Sequence, residues 1–401
     1  MTTATEETKS TPVPGTGHEG QTFLVGEHVY IRAIETSDAE YATWWRDSAF
    51  PVSPGRVETL IKEEMPKEER RRVLIVIRKS DDVPVGGIWV DYETVGVTIE
   101  TTFGNVFGEL ATPWRVEALT MVVPWLIDEQ HRPVAWISLP GNQTAEIAAL
   151  EGIGARQTAR FREMYFLNRE RQDQVFLEYL NTQWVARLGD PNENELPRSG
   201  TGEARPVPAR VELDGDPPLN AVLVGPRVYL RPVEEKDGEV MARLQRQETE
   251  TFHETGRRMS SAIGLSTWHD GLQKKDPPSW VRFAVCLREN DEFIGAVGID
   301  GIDRIHGYAE SESELLNPAY RGQGYGSEAK HLLLEYAFNR LGLHSIQSYV
   351  LWQNTRSAAA LRKQGYKDAG RWNWDYARNG RFGDVAVFDL LADEWRALPR
   401  E

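Results

Sequence analysis

One cysteine, Cys286, stands among 401 residues, so no disulfide and no cysteine-built zinc site can form within the chain. It sits in the strand-like run 281–287, which reads as a buried structural thiol, with a nucleophilic role as the alternative. No apolar run approaches the roughly 18 residues that a membrane-spanning helix needs. The eight histidines show no paired metal-ligand spacing, and no catalytic metal is expected. Positive charge is scarce as well: 46 Lys and Arg stand against 61 Asp and Glu, a formal net charge of −15. Phosphate-backbone binding needs basic patches, so nucleic acid is not expected as a partner. The acidity suits a cationic substrate through steering, or serves solubility alone. Residues 1–22 are rich in Thr, Glu, Gly and Pro and lack the basic-then-apolar order of a signal peptide. They read as a disordered tail, and a cytoplasmic protein without a membrane partner is the expectation.

What the chain does have is a repeat. Leu24-Val25-Gly26-Glu27-His28-Val29-Tyr30-Ile31-Arg32 is echoed by Leu223-Val224-Gly225-Pro226-Arg227-Val228-Tyr229-Leu230-Arg231. Asp38 and Asp237 then each open a helix-like stretch, and Gly86 to Asp91 matches Gly295 to Asp300. Asn142 leads to Leu150 and Gly154 much as Asn354 leads to Leu361 and Gly365. Similarity kept in order over this length implies a duplicated domain, and two domains also suit the chain length. The Asp/Asn/Glu/Pro/Gly mixture of 189–220 cannot supply a core and reads as a linker. The expected copies are therefore 23–188 and 221–401. In the second, strands are expected at 228–231, 280–287, 293–301, 307–316 and 344–352, with a closing hairpin of 372–377 and 384–390. Helices are expected at 240–247, after Gly326, and at 354–364. The fold class is α/β (α+β), two tandem domains, each with a mixed central sheet flanked by helices.

Between a strand and a helix of the second copy lies Asn317-Pro318-Ala319-Tyr320-Arg321-Gly322-Gln323-Gly324-Tyr325-Gly326-Ser327. Three glycines in five residues let the backbone turn sharply and a ligand approach closely. Ala329, Leu332, Leu333, Tyr336 and Ala337 then recur at helical spacing. Free N–H groups and the positive end of a helix dipole converge there, a site suited to phosphate. No lysine follows the last glycine, which excludes a nucleotide-triphosphate loop, and the glycine spacing is not that of a dinucleotide fold. Upstream, Glu310, Glu312 and Glu314 alternate and so share one strand face. Like charges so placed raise one another's pKa and attract a cation. The other reading is a solvent-facing acidic edge.

Arg321-Gly322-Gln323-Gly324-Tyr325-Gly326 fits the R/Q-x-x-G-x-G/A acyl-CoA loop, so the second copy resembles the GNAT N-acetyltransferase superfamily. Val228-Tyr229-Leu230-Arg231-Pro232, the Asn354-x-x-Ser357 helix start and the ending Asn379 to Asp384 make it most similar to the RimJ/RimL type. The resemblance covers nearly all of the second copy; over the first it rests on the repeat.

This resemblance implies an N-acyltransferase that moves an acetyl group, or a longer acyl group, from acetyl-CoA or another acyl-CoA, as co-substrate, to a primary amine of a small molecule, peptide or protein. A homodimer is allowed for. Backbone groups near Leu315, Leu316 and Asn317 would hold the pantetheine and an oxyanion. N–H groups of Gly322, Gln323, Gly324, Tyr325, Gly326 and Ser327 would hold the pyrophosphate. Arg321 would bind phosphate or cap surface charge, and Asn354 would bind the cofactor. Glu312 and Glu310 lie where the family carries its base. Ser357 would touch the thiol sulfur or simply cap its helix. The tyrosine that often serves the family as acid is replaced by Leu361. Trp352, Trp372, Trp374 and Tyr376 gather near the expected substrate end, as core or as a wall of the site.

The first copy departs at each of these points. Pro113-Trp114-Arg115-Val116-Glu117-Ala118-Leu119 stands where the loop should be, read as shortened and without glycine, and it cannot make the same nest of N–H groups. Asn142-Gln143-Thr144-Ala145 lacks the serine, and Glu100 alone remains of the acidic row. This copy is expected not to bind coenzyme A but to brace the other or wall its cleft. The rival reading of the whole chain is a non-catalytic acyl-CoA-binding or scaffold protein.

Overall fold

Apart from Arg282, the strand Val281–Leu287 is apolar because both its faces are covered. Phe283, Val285 and Leu287 enter one core cluster, Ala284 and Cys286 another, the pattern of a central strand. Burial raises the Cys286 pKa, so the thiol is an inert core group. The computed structural model describes residues 23–46, 51–194, 203–209, 211–247, 260–274, 276–378 and 380–401. The expected tail 1–22, the stretch 195–202 and Asn379 lie outside them.

The chain divides into two units. The first holds the described residues up to Leu139, with Gln143–Gln157 and Leu177–Leu188; the second holds Pro140–Asn142, Thr158–Phe176 and the chain from Gly189. The first unit contains β1 (Val29–Ala33), α1 (Ala42–Trp45), α2 (Pro54–Thr59), β2 (Arg71–Arg78), β3 (Val83–Tyr92) and β4 (Val97–Phe103). It continues with α3 (Thr112–Pro124), β5 (Val134–Pro140) and α4 (Thr144–Gly152). Strands β1 to β4 are antiparallel neighbours, and β4 pairs with β5 in parallel. A hairpin of β6 (Arg156–Leu167) and β7 (Glu170–Leu180) follows, then α5 (Thr182–Leu188). Most of that hairpin clusters with the second unit, unlike the boundary expected at 188.

The second unit adds β8 (Leu223–Val224), β9 (Val228–Pro232), α6 (Asp237–Gln247), α7 (Ala262–Gln273), β10 (Val281–Leu287), β11 (Phe293–Asp303) and β12 (Tyr308–Glu314). After them come α8 (Tyr325–Glu335), β13 (Ser345–Leu351), α9 (Thr355–Lys363), β14 (Lys367–Arg378), β15 (Arg381–Leu391) and α10 (Ala392–Arg396). Strands β9 to β12 are antiparallel neighbours, and β12 pairs with β13 in parallel. Antiparallel β15 then joins β13 to β14. The architecture is mixed α/β. Helix α8 buries Ala329, Leu332 and Leu333, and the helical turn that continues it, Tyr336–Arg340, buries Ala337 in the same cluster, the stripe the spacing predicts. Helix α7 was not expected, and the linker is not wholly free of the core: Val207 is buried in the same cluster. Among the described residues no helix is long and apolar enough to cross a membrane.

Candidate active site

The glycine bend is shaped by backbone conformations that side chains disfavour. Gly322 (φ +76°) and Gly324 (φ +89°) are left-handed, and Gly324 is the N-cap of α8, positions where glycine carries no Cβ penalty. Nothing lies within 4 Å of where a Cβ on Gly322 or Gly326 would stand, so the surface above them is open. The first N–H groups of α8 have no acceptor inside the helix. They add to the positive end of its dipole, so an anion is favoured there.

Next to the bend, two strands part. β12 and β13 pair from Tyr308↔Ser345 to Glu310↔Gln347 and no further. Where they diverge, the Ser348 hydroxyl donates to Ser311 O (3.1 Å) and the Ser311 hydroxyl to Gln347 O (3.2 Å). Ser311 Oγ also lies 2.8 Å from the buried Tyr366 hydroxyl. A cavity of about 390 Å³ opens beyond. Leu315 and Leu316 reach it from the strand end, Arg321, Gly322 and Gly324 from the bend, Gly326 and Ser327 from α8. Asn354 and Ser357 of α9 form the opposite wall. Asn354 Oδ1 accepts the Ser357 N–H at 3.1 Å, so Asn354 is the cap of α9 and Ser357 the capped residue.

Other expected site residues are engaged elsewhere. The Asn317 N–H donates to Ile294 O (3.0 Å) and its Oδ1 accepts from the Ala319 N–H (3.1 Å), so this amide is not offered to a thioester. The Arg321 guanidinium turns back onto the carbonyls of Leu315 (3.0 Å) and Leu316 (3.4 Å). The chain leaves the strand there without ladder partners, and an arginine satisfies those carbonyls. Gln323 donates through its side chain to Ala319 O at 2.6 Å. The Arg227 guanidinium covers the Tyr325 ring at 4.4 Å.

The three glutamates are not an uncompensated row. Arg282 of β10, its side chain 7% exposed, donates to Glu312 (2.7 Å) and Glu314 (2.6 Å). Trp280 Nε1 adds a donor to Glu312 at 3.3 Å. Burial still raises the Glu312 pKa, while Arg282 opposes it. Glu310 lies opposite Asp300 on β11; burial, Asp300 and Glu312 push it up to about 7. Facing both glutamates is Lys330 of α8, 1% exposed, which burial pushes down to about 7 against the pull of Glu312 and Glu310. Its ammonium lies 5.9 Å from the centre of the Tyr366 ring.

Sequence reasoning missed Arg282 and Lys330. Lys330 had a legible signal, since it falls three residues before Leu333 and seven before Ala337, on their apolar face. Arg282 had only its place in an otherwise apolar strand. Of the aromatic group, Trp374 and Tyr376 are buried, Trp372 packs against the cluster that holds Tyr376, and Trp352 is exposed. Leu361 is buried in the core. Among the described residues no group of three His, Cys, Asp or Glu could hold a metal ion.

Residues 227–367 match the family model described as the acetyltransferase (GNAT) domain. The uncharacterized N-acetyltransferase p20 of Bacillus licheniformis is 36% identical over 115 residues, 28% of this chain and 64% of that protein. The probable N-acetyltransferase YjcK of Bacillus subtilis is 26% identical over 182 residues, 42% of this chain and 97% of its own. A spermidine N(1)-acetyltransferase of Escherichia coli is 26% identical over 170 residues, 42% of this chain and 89% of that protein. Among solved structures, a spermidine N-acetyltransferase from Vibrio cholerae in complex with CoA and spermine shares 23% identity. It covers 42% of this chain and 98% of its own, with a TM-score of 0.38. By the family model, residues 227–367 within the second unit are a GNAT acetyltransferase domain. Enzymes of this class take acetyl-CoA as acyl donor.

Proposed function

We propose that this protein is an acetyl-CoA-dependent N-acetyltransferase of the RimJ/RimL type, acting on a primary amine of a small molecule, peptide or protein. We read 23–188 and 221–401 as two copies of one fold joined by 189–220, with a single site in the second copy. The observation that carries this reading is the cavity where β12 and β13 part. It is lined on one side by Gly322, Gly324 and Gly326 and on the other by Asn354 and Ser357. The left-handed glycines and the open space above them suit a pyrophosphate, and the divergent strand edge at Leu315 and Leu316 suits an extended pantetheine chain.

An ammonium has no lone pair, so the acceptor must lose a proton before it attacks. Glu310, pushed up to about 7, is the group we assign to take it; a base titrating near neutrality accepts and releases protons readily. Glu312, held by Arg282, serves to keep negative charge beside the incoming cation. The nitrogen then bonds the acyl carbon, the carbon–sulfur bond breaks, and the thiolate is protonated. The names of the spermidine-acetylating relatives agree with a cationic amine as acceptor, as does the net charge.

Calorimetry with acetyl-CoA tests the site. Wild type should bind and Gly324→Trp should not, because the indole would fill the bend; equal binding by both sinks the assignment. A free-thiol assay over a panel of amines tests the reaction. A non-catalytic acyl-CoA-binding reading has one observation behind it, the apolar Leu361 at the position of the family's acid. Tight cofactor binding without thiol release for any amine would favour that reading.

A further inference from the structure

The segment joining the two units is expected to be a tether, yet part of it is built into the second unit. The Val207 N–H donates to Pro399 O (2.7 Å), the Glu401 N–H to Val207 O (3.0 Å) and the Ala209 N–H to Glu401 O (2.6 Å). Val207 is 2% exposed within the core cluster. Two residues earlier the Arg205 N–H donates to Lys363 O at 2.8 Å, at the last residue of α9. The backbone is therefore held at Arg205 itself and again two residues after it. Its side chain lines the same cavity as the glycine bend.

The charge of that cavity is opposite to that of the protein. A chain of net charge −15 lines it with Arg205, Arg321, Arg356 and Lys363 against one carboxylate among the described residues, Glu314. Glu314 is already paired with Arg282, and Arg321 is turned onto strand carbonyls. Arg205, Arg356 and Lys363 line the cavity beside α9. The N–H groups of the glycine bend suit one anionic group, the pyrophosphate. Cations on a separate wall of the same cavity call for a second anionic group on the same ligand.

We propose that the inter-unit segment is part of the cofactor site, with Arg205 contacting the 3′-phosphate on the ribose of coenzyme A, beside Lys363 and Arg356. The inference rests on the acetyl-CoA reading above. It assigns a ligand contact to a residue outside the matched family segment 227–367. Affinity for the cofactor then depends on an arm held by the C-terminal residues.

The test is calorimetry on full-length wild type and Arg205→Ala, each with coenzyme A and with 3′-dephospho-coenzyme A. Arg205 is exposed, so its truncation leaves the core untouched. Wild type should bind coenzyme A more tightly than the dephospho form. Arg205→Ala should weaken coenzyme A about tenfold, the scale of one charge-assisted contact near solvent. It should leave the dephospho form unchanged and make the coenzyme A affinity less salt-dependent. Equal affinities of both proteins for coenzyme A would overturn the proposal, and so would an equal loss for both ligands, which would mark a structural role. Failure of wild type to bind either ligand would instead sink the acetyl-CoA reading.

Discussion

The N-terminal ends of α3 and α8 occupy corresponding positions in the two units and have opposite fates. Glu117 of α3 accepts the His28 N–H at 2.9 Å, while Glu328 of α8 accepts the N–H groups of Arg227 (2.7 Å) and Val228 (3.0 Å). Each ties its helix to the residues that open the first antiparallel strand, so Glu117 and Glu328 set a common register. Counting back, Pro113 stands for Gly324 and Arg115 for Gly326. Pro113 has no N–H to offer. Arg115 turns onto Glu146 of α4 at 2.5 Å, a carboxylate only 2% exposed. Glycines occur earlier, at Gly104 and Gly108, outside the glycine-free stretch 113–119, and a salt bridge stands at the position where the second unit lines its cavity with Gly326. The same register continues inward. Leu119 stands for Lys330, and by the register within each unit Ile99 stands for Ser311, and Ile137 for Ser348, one residue past the last β12–β13 pair. Ala155 and Tyr366 correspond too, each donating its N–H back to a helical leucine, Leu150 or Leu361. Four positions that are apolar in the first unit form a buried polar cluster in the second. The difference teaches that one framework serves either packing or polar chemistry at these positions, and that the polar set goes with the open cavity.

Exchanging residues between the units breaks this comparison most sharply at the bend. Gly326→Arg, which installs the residue of the first unit, should abolish coenzyme A binding by calorimetry, a loss beyond about 100-fold. A Cβ meets nothing there, so circular dichroism should be unchanged; retained binding would remove the bend from the site. In the first unit, Arg115→Ala leaves Glu146 buried without its cation. That should destabilise the unit by roughly 3 kcal/mol, seen as an earlier unfolding transition, with coenzyme A affinity unaltered. Replacing Glu146 by Met in the same chain should restore most of the loss.

How much of this was legible beforehand follows from the range of each interaction. The bend was, because left-handed glycines at a helix start are a local necessity. The strands of the second unit were, because their alternation is a local pattern. Helix α7 was not: Gly264, Ser266 and Gly271 weaken its propensity, and only packing on α6 and β10 decides it. The pairing of Arg282 with Glu312 and Glu314 was not, because it joins β10 to β12 across the intervening β11. Like-charge repulsion was expected along that face; one buried arginine relieves it at two of three residues. The fate of Arg321 was hidden for the same reason, since only the folded strand end shows which carbonyls lack partners.

Within the glutamate row the two base candidates, Glu310 and Glu312, are separable. Glu310→Gln should lower the acyl-transfer rate about 100-fold, the usual scale of a general base. Glu310 titrates at about 7, so the wild-type rate should climb as pH rises through 7 and level off above it. The variant should lose that limb. Glu312→Gln, which leaves Arg282 its bond to Glu314, should keep the limb and change mainly the KM for a cationic acceptor. A limb that survives in Glu310→Gln would transfer the role to another group.

The smallest effect concerns the floor of the site. Lys330 is pushed down to about 7 by burial, while in the unfolded chain it titrates near 10.5. Between these values the unfolded state binds more protons, so stability attributable to Lys330 rises with pH through that window. Below about pH 7 both states are charged and the full cost of a buried ammonium is present. Lys330→Leu, the residue of the first unit, removes that cost. It should stabilise the protein by about 1 kcal/mol in urea unfolding at pH 6, the low end of the range for replacing buried ions, because Glu310 and Glu312 lose a nearby cation. The gain should shrink toward pH 10, where the wild-type lysine is neutral when folded. A destabilised variant at pH 6 would show that the ammonium is held by the two glutamates more strongly than burial opposes it, and the floor of the second unit would then be built for stability like that of the first.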